Sequence, residues 1–307
     1  MQKKIIAVAG PTASGKTALA VEIAKRVDGE VVSCDSMQIY KYMNIGTAKP
    51  NRDEMQGVPH YMLDFVQPDK CYSVADFVQD ARRCINDILK RGKVPVIAGG
   101  TGLYMDSVLN NISFADFDSD PMFRQQMQQL ADAKGAEELH KLLEAADPEA
   151  AEKIHPNNVR RVIRALEVCN ATGKTFTQVN AESIREPIFD VLIFGIDINR
   201  EKLYERINLR VDKMMEAGLL GEVEYLWESG IGSDTTAMQA IGYKELIEYL
   251  ENRCELSDAV DKIKMESRRY AKRQMTWFRR NKDIVWVNPD DEEFYEKVFE
   301  KCFTFLK

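Results

Sequence analysis

A glycine-bracketed loop near the start of the chain constrains the fold more than any other feature. Residues 10–17 read GPTASGKT, which fits the pattern GxxxxGK[ST], and they join the apolar run Ile5–Ala9 to the helical stretch Lys16–Arg26. Glycines let the backbone wrap closely around an anion, and the amides at a helix N-terminus face its negative charge. Lys16 adds a point charge, and the Thr17 hydroxyl can ligate Mg²⁺. The pattern predicts a polyphosphate site but does not distinguish ATP from another diphosphate ester. The predicted diphosphate-binding residues are Gly10, Pro11, Thr12, Ala13, Ser14, Gly15, Lys16 and Thr17.

Short apolar runs typical of buried parallel strands recur along the chain, with helical stretches such as Ser73–Arg91 between them. This alternation predicts an α/β fold with a doubly wound parallel sheet. The predicted strands are Ile5–Ala9, Val31–Val32 with Cys34, Val94–Ala98, Val191–Ile196 and Ile284–Val287.

The region 120–185 differs because it shows helical segments and no convincing strand. We therefore predict a P-loop core of residues 1–119 and 186–307 and a helical insertion domain of residues 120–185. Prolines and glycines mark the predicted ends of the helices in the insertion. The predicted insertion helices are Pro121–Lys134, Ala136–Ala146, Pro148–Ile154 and Asn158–Thr172. The predicted C-terminal core helices are Arg200–Ala217, Leu219–Ser229, Thr235–Asn252 and Leu256–Lys282.

Composition excludes several classes of protein. The formal net charge of −7 argues against indiscriminate coating of nucleic acid, although a local basic patch is compatible with it. Six cysteines without a CxxC pair and three histidines without HExxH spacing predict neither a disulfide framework nor a zinc site. Scattered thiols suit the cytoplasm. No apolar stretch is long enough for a membrane span, and no feature indicates an obligate protein partner.

Two residues follow predicted strands at the edge where parallel sheets bind ligands. Asp35 follows Val31–Val32, and on position alone it suits a helix cap, a metal ligand or a base. Thr101 follows Val94–Ala98 and two glycines, where turn chemistry is an equal explanation. The absence of an aspartate directly after that strand is unusual for an NTPase of the common P-loop type.

Two basic clusters favour contact with phosphate or nucleic acid. Between Arg268 and Lys282 the chain carries seven basic residues and no acidic one. On a helix, those up to Arg280 fall within an arc of roughly 140°, opposite an arc of apolar residues that includes Tyr270 and Trp277. In the insertion, Arg160, Arg161 and Arg164 lie on one side of a predicted helix, which suits a kinase lid or an RNA contact equally.

Taken together, these segments resemble the tRNA dimethylallyltransferases, also called tRNA isopentenyltransferases, of the bacterial type. The resemblance extends from residue 10 to residue 279 and is far more specific than the phosphate loop alone. The matching segments are GPTASGKT (10–17), DSMQIY (35–40), IGTAKP (45–50), GGTGLY (99–104), His155–Arg164, AIGYK (240–244) and AKRQMTWFR (271–279).

The resemblance implies transfer of a dimethylallyl group from dimethylallyl diphosphate to N6 of the adenosine 3′ of the anticodon. It implies Mg²⁺ with Thr17 as its protein ligand, Asp35 as general base, Thr101 beside the target adenosine, and Lys16 and Arg210 at the diphosphate. The anticodon stem-loop of tRNA is the implied partner, since a base must be extruded before N6 can react. The implied tRNA-binding residues are Asp35, Ser36, Met37, Gln38, Thr101, Arg124, Arg160, Arg161, Arg164, Gln239, Gly242, Lys244, Lys272 and Arg273.

Three other functions stay open on the residues alone. A P-loop kinase would use the phosphate loop, Asp35 and the arginines of the insertion. A prenyltransferase acting on free adenine nucleotides would use the same site, but it would have no need of the basic helix. A non-catalytic RNA-binding module would make no use of the phosphate loop.

Overall fold

The structure is a computed structural model that describes residues 3–112, 120–182 and 185–307. Contacts within the chain define two compact units. The first comprises Met1–Asn110 and Pro187–Lys307, and the second is Asn111–Glu186. The second unit covers the region for which the sequence predicts the insertion at 120–185.

The first unit is built on a six-stranded sheet in the order β3-β2-β4-β1-β7-β8, and every neighbouring pair is parallel. Ala9 lies opposite both Gly99 and Gly195, so the segments that follow three neighbouring strands start at one edge. This sheet confirms the predicted α/β fold class. The strands are β1 (Lys4–Ala9), β2 (Gly29–Ser33), β3 (His60–Tyr61), β4 (Val94–Gly99), β5 (Asn110–Ile112), β6 (Arg185–Pro187), β7 (Asp190–Ile196) and β8 (Ile284–Val287); β5 and β6 form a separate two-stranded sheet.

Helices cover the sheet, and its central apolar residues, Ile5 to Ala9 of β1 with Val96 and Ile97 of β4, are almost fully buried. On one face, Leu19 and Ile23 of the first helix and Val298 of the last pack against the strands. The helices are α1 (Lys16–Arg26), α2 (Arg52–Met55), α3 (Val74–Lys90), α4 (Gly102–Leu109), α5 (Pro121–Lys134), α6 (Ala136–Ala146), α7 (Pro148–Lys153), α8 (Val159–Thr172), α9 (Phe176–Glu182), α10 (Arg200–Glu216), α11 (Leu219–Glu228), α12 (Tyr243–Leu250), α13 (Leu256–Phe278) and α14 (Phe294–Leu306).

Two predicted helices are too long. The helix predicted over Thr235–Asn252 begins only at Tyr243, because Gly242 has a φ of +100° that no right-handed helix accepts, and the preceding residues form turns. The helix predicted over Leu256–Lys282 ends at Phe278. The amides of Arg280 and Asn281 there close tight turns onto Trp277 and Phe278, so the chain can enter β8.

The second unit has its own small core between α5, α6, α7 and α8. Leu139, Leu143, Val162 and Ala165 are buried in it. Asp147 caps α7 by accepting from the Ala150 amide at 3.0 Å. Its other oxygen accepts from the Thr177 amide at 2.7 Å, so one buried carboxylate fixes two helices.

Among the described residues, no helix combines the length and the apolar character that a membrane span requires.

Candidate active site

The phosphate loop, Gly10–Thr17, joins β1 to α1 at the carboxyl edge of the sheet. Ala13 and Gly15 have φ values of +61° and +90°, which curl the backbone so that the loop closes on itself. The Ser14 hydroxyl is buried and has no hydrogen-bond partner among the described residues. The Lys16 ammonium donates to the Pro11 carbonyl at 3.3 Å, across the concave side of the loop. An orphaned donor, a lysine and the start of a helix thus converge where an anion fits.

Two cations lie close together at this loop. Arg210 of α10 donates from Nη1 to the Thr12 hydroxyl at 3.5 Å. Burial, and then the charge of Arg210, lowers the pKa of Lys16 to about 8, while Asp35 opposes the shift. Burial also lowers the pKa of Arg210. Two cations removed from water and near one another favour a ligand with several negative charges.

The turns after β2 and β4 are bonded to each other and hold Asp35 beside these cations. The Asp35 Oδ1 accepts from the Met37 amide at 2.9 Å, which fixes the orientation of the carboxylate. The Thr101 hydroxyl accepts from the Ser36 amide at 3.2 Å. Gly99 packs directly on the Cys34 carbonyl, and a Cβ at Gly99 would lie 2.0 Å from that oxygen. Only glycine therefore lets the two turns approach.

A buried glutamine of α13, Gln274, connects the phosphate loop to the turn at Thr101. Its Oε1 accepts from the Thr12 amide at 2.9 Å, and its Nε2 donates to the Gly100 carbonyl at 2.9 Å. Sequence reasoning missed Gln274. The available signal was a polar residue on the apolar arc of the helix, between Tyr270 and Trp277.

A cleft of about 990 Å³ opens beside the phosphate loop. Tyr270 lines it, and burial together with the nearby Asp35 charge raises its pKa to about 12. The Arg273 guanidinium lies 5.7 Å from the centre of the Tyr270 ring. The structure brings many of the predicted site residues to this cleft: Thr12, Ala13, Gly15, Lys16, Thr17, Asp35, Ser36, Met37, Gln38, Arg210, Gln239, Gly242, Lys244 and Arg273. Two core residues of the predicted tRNA-binding set do not line the cleft: Thr101 is bonded to the Ser36 amide next to it, and Lys272 is exposed on α13.

The basic residues at 268–279 have polar partners, two of which lie far along the chain. Arg268 donates to Asn208 of α10 at 2.5 Å, and Arg279 lies 3.5 Å from Asp197. Arg269 pairs with Glu266 one turn earlier at 2.6 Å. Lys272 and Arg273 are exposed at the middle of this segment.

In the second unit, the predicted arginines fall into two groups. Arg124 and Arg164 both bind the buried carboxylate of Glu167, at 2.8 Å and 2.7 Å, and keep nearly half of their side chains exposed. Arg160 and Arg161 are exposed at the start of α8. Glu167 therefore fixes the direction of two arginines, whereas the other two project from the surface.

The oxygen donors of the site suit Mg²⁺. Thr17 and Asp35 line one narrow recess next to Lys16, and both offer the hard oxygen ligands that Mg²⁺ prefers. The described residues contain no cluster of three or more histidine, cysteine or acidic side chains that could bind a metal by itself. A magnesium ion here would draw most of its ligands from phosphate oxygens and water.

The fold and this site define a P-loop protein of the α/β class with a carboxylate directly after β2, two strands away from β1 in the sheet. The IPP transferase family model matches residues 38–281. The tRNA dimethylallyltransferase of Bacillus cereus (strain B4264) is 51% identical over 292 residues, covering 95% of this chain and 92% of the relative. The tRNA dimethylallyltransferase of Acetivibrio thermocellus is 50% identical over 303 residues, covering 98% of this chain and 97% of the relative.

Solved structures agree with these relatives. The full-length tRNA isopentenylpyrophosphate transferase from Bacillus halodurans has a TM-score of 0.75 and 41% identity, with 100% of this chain and 97% of that chain covered. A eukaryotic dimethylallyltransferase acting on tRNA has a TM-score of 0.81 and 31% identity, with 98% and 77% covered. The chain belongs to the IPP transferase family.

Proposed function

We propose that this chain transfers a dimethylallyl group from dimethylallyl diphosphate to N6 of the adenosine 3′ of the anticodon, position 37, in tRNAs reading codons that begin with U. Family membership makes the protein a tRNA-modifying prenyltransferase. The proposal adds the donor, the acceptor atom and the roles of individual residues. The observation that carries it is the Asp35 carboxylate, held beside Lys16 and Arg210 and bonded through its turn to Thr101.

The phosphate loop would bind the diphosphate of the donor. Breaking the allylic C–O bond moves its electron pair onto the diphosphate, and negative charge then grows on the phosphate oxygens. Lys16, Arg210 and the loop amides lie where they oppose that charge, and Ser14 has a free hydroxyl to donate. Bound Mg²⁺, held by Thr17 and the phosphates, would supply further positive charge against the leaving group.

Asp35 would accept the proton that N6 loses as the new C–N bond forms. An aromatic amine is a weak nucleophile, so a correctly oriented carboxylate assists the reaction. The bond from the Met37 amide to Oδ1 holds the carboxylate in place. Thr101, whose hydroxyl accepts from the Ser36 amide, would contact the target adenosine.

The acceptor would be an extruded base in an anticodon stem-loop, because N6 is out of reach while the base is stacked. Ser36, Met37, Gln38, Gln239, Gly242 and Lys244 line the cleft and would contact it. Lys272 and Arg273 would follow the RNA backbone, as would Arg124, Arg160, Arg161 and Arg164 of the second unit. We also propose a cytoplasmic location, which a tRNA substrate and six free cysteines favour.

The P-loop kinase that the residues alone left open would also use Lys16, Thr17 and Asp35, with ATP and Mg²⁺, but family membership argues against it. The strand β4 ends in glycines, one of which packs on the Cys34 carbonyl, so it carries no metal-binding aspartate at that point. This observation favours prenyl transfer over phosphoryl transfer.

The test uses the full chain, Mg²⁺, radiolabelled dimethylallyl diphosphate and unmodified tRNA, with AMP and ATP as competing acceptors. We expect label in the tRNA, and none when the adenosine 3′ of the anticodon is replaced. In Asp35→Asn, kcat should fall by roughly a hundredfold or more while tRNA and donor still bind, as expected for loss of a general base. Label on the nucleotides, or release of ADP with a phosphorylated product, would contradict the proposal.

A further inference from the structure

A carboxylate of α11 is surrounded by backbone amides of the segment Asn44–Pro50, which we call the acceptor loop. The Glu222 Oε2 accepts from the Asn44 amide at 2.8 Å and from the Ile45 amide at 2.9 Å. The Oε1 accepts from the Ile45 amide at 3.1 Å and from the Gly46 amide at 3.0 Å. Three successive amides thus form a concave anion site that the protein fills with its own side chain.

The same carboxylate reaches a second segment that lines the cleft. The Tyr243 hydroxyl donates to the Glu222 Oε1 at 2.6 Å, and the Tyr243 ring is fully buried. A Cβ at Gly46 would lie 2.4 Å from this ring, so the motif IGTAKP needs glycine where AIGYK supplies its tyrosine. Glu222 and Tyr243 therefore join two sequence motifs that are nearly two hundred residues apart.

The acceptor loop in turn holds Gln38, one of the proposed tRNA contacts. The Gln38 Nε2 donates to the carbonyls of Thr47 and Ala48 at 3.3 and 3.1 Å. Its Oε1 accepts from the Ser33 hydroxyl at 2.9 Å, at the end of β2. These three hydrogen bonds of the Gln38 side chain therefore depend on the acceptor loop and on the strand that precedes Asp35.

The donor side of the site is held by other groups. Gln274 and Arg210 bind Thr12 of the phosphate loop, and neither contact involves α11 or the acceptor loop. Loosening the acceptor loop should therefore change how RNA binds without changing how the diphosphate binds.

We propose that Glu222 and Tyr243 form a latch that positions the acceptor loop and the start of α12 for tRNA, leaving donor binding unaffected. This inference rests on the proposed function. Glu222 and Tyr243 are positioning residues, since they act through the acceptor loop and Gln38. An ionised carboxylate accepts at both oxygens, whereas the amide of a glutamine would turn an NH₂ group toward backbone N–H donors.

The experiment measures steady-state prenyl transfer with anticodon stem-loop RNA and dimethylallyl diphosphate varied separately. In Glu222→Gln, we expect the KM for RNA to rise about tenfold, because hydrogen bonds to a charged group are lost. The KM for the donor should stay within about twofold, and kcat should change less than the KM for RNA, since the phosphate loop keeps its own supports. The matched control is Glu228→Gln, an exposed glutamate of the same helix, which should behave as wild type.

Tyr243→Phe keeps the ring beside Gly46 and removes only the hydroxyl. Its KM for RNA should rise about threefold, as expected for loss of one hydrogen bond of several to the carboxylate. Glu222→Gln combined with Tyr243→Phe should resemble Glu222→Gln alone, because both changes act on one carboxylate. If Glu222→Gln does not fold, folded Tyr243→Phe decides the matter.

An unchanged KM for RNA in a folded variant would overturn the latch. Equal increases in both KM values would also overturn it, because they indicate a general loss of structure. Wild-type enzyme is run in the same assay, so its failure to label RNA would contradict the proposed function itself. Transfer by wild type with an unchanged variant overturns the latch alone.

Discussion

At the scale of single residues, the site depends on cationic side chains whose pKa values are lowered by burial. Lys16 is an ordinary lysine in sequence, yet burial and Arg210 lower its pKa to about 8. The free site therefore holds two cations at some electrostatic cost, and a bound diphosphate relieves it. Asp35, the proposed general base, carries the negative charge that opposes this shift of the Lys16 pKa.

The Lys16 pKa predicts that donor binding depends on pH. The ammonium is present below about pH 8 and is lost as the pH rises through that value, so affinity should fall above pH 8. A bound diphosphate favours the ammonium, and binding near pH 8.5 should take up a substantial fraction of one proton. Calorimetry with a thiolodiphosphate analogue of the donor, in buffers of different ionisation enthalpy, measures this uptake.

The control for this prediction is Lys16→Arg, which keeps its charge throughout the accessible pH range. It should bind the analogue, if more weakly, without proton uptake. Absence of uptake by the wild-type protein at pH 8.5 would show that Lys16 is not the titrating group.

At the scale of secondary structure, the long helix α13 supports the site through side chains on its buried face. One face carries Lys272 and Arg273 outward, and the other buries Ala271, Gln274 and Phe278. Trp277 of this helix also donates to Asp106 of α4 at 2.9 Å. The helix thus supports both the phosphate loop and the segment after β4, and the basic face is only half of its role.

Gln274→Leu should damage the donor side of the site. The change keeps the volume but leaves the Thr12 amide and the Gly100 carbonyl without their partner, which should lower the free energy of unfolding by about 1–3 kcal/mol. The KM for the donor should rise more than the KM for RNA, the reverse of the pattern expected for Glu222→Gln. Chemical denaturation and steady-state kinetics measure the two effects.

Thr276→Ala, at an exposed position of the same helix, is the matched control. It should leave stability within about 0.5 kcal/mol of wild type, as surface changes usually do. A Gln274→Leu variant with wild-type stability and donor KM would show that the bridge is dispensable.

At the scale of the whole molecule, a chain of net charge −7 must concentrate positive charge locally to bind RNA. The first unit does so on α13. In the second unit, exposed Arg160 and Arg161 stand on α8, while Arg124 and Arg164 are bound to Glu167. In the proposed function, both sets of basic residues would contact the RNA backbone.

Reversing charge at Arg160 and Arg161 should weaken tRNA binding at least about tenfold, because lost phosphate contacts also reduce counterion release. The slope of log Kd against log salt should become shallower by about 1–2. Donor binding to the first unit should not change. Filter binding over a range of salt concentrations provides both values.

The control reverses two exposed lysines elsewhere in the same unit, Lys134 and Lys141. It should show only a small, general electrostatic effect. If the arginine double variant binds tRNA as tightly as the lysine double variant does, α8 is not a specific RNA contact.

The sequence by itself determined the class of fold and the position of the P-loop. Buried parallel strands are apolar throughout, and a P-loop needs fixed residues at fixed spacing, so both signals are local. Five of the six strands of the sheet follow from such runs, while β3, with two residues, gives no readable pattern. The extents of α12 and α13 were misjudged because helix propensity alone does not register the φ of Gly242 or the turns after Phe278.

Only the tertiary structure decided which polar residues support the site. Gln274 and Glu222 lie on helices far along the chain from the backbone amides they bind, and nothing in their local sequence indicates those partners. The same holds for the lowered pKa of Lys16, which depends on burial and on Arg210. Hydrogen-bond partners and electrostatic shifts are properties of distance in space, and folding sets that distance independently of separation along the chain.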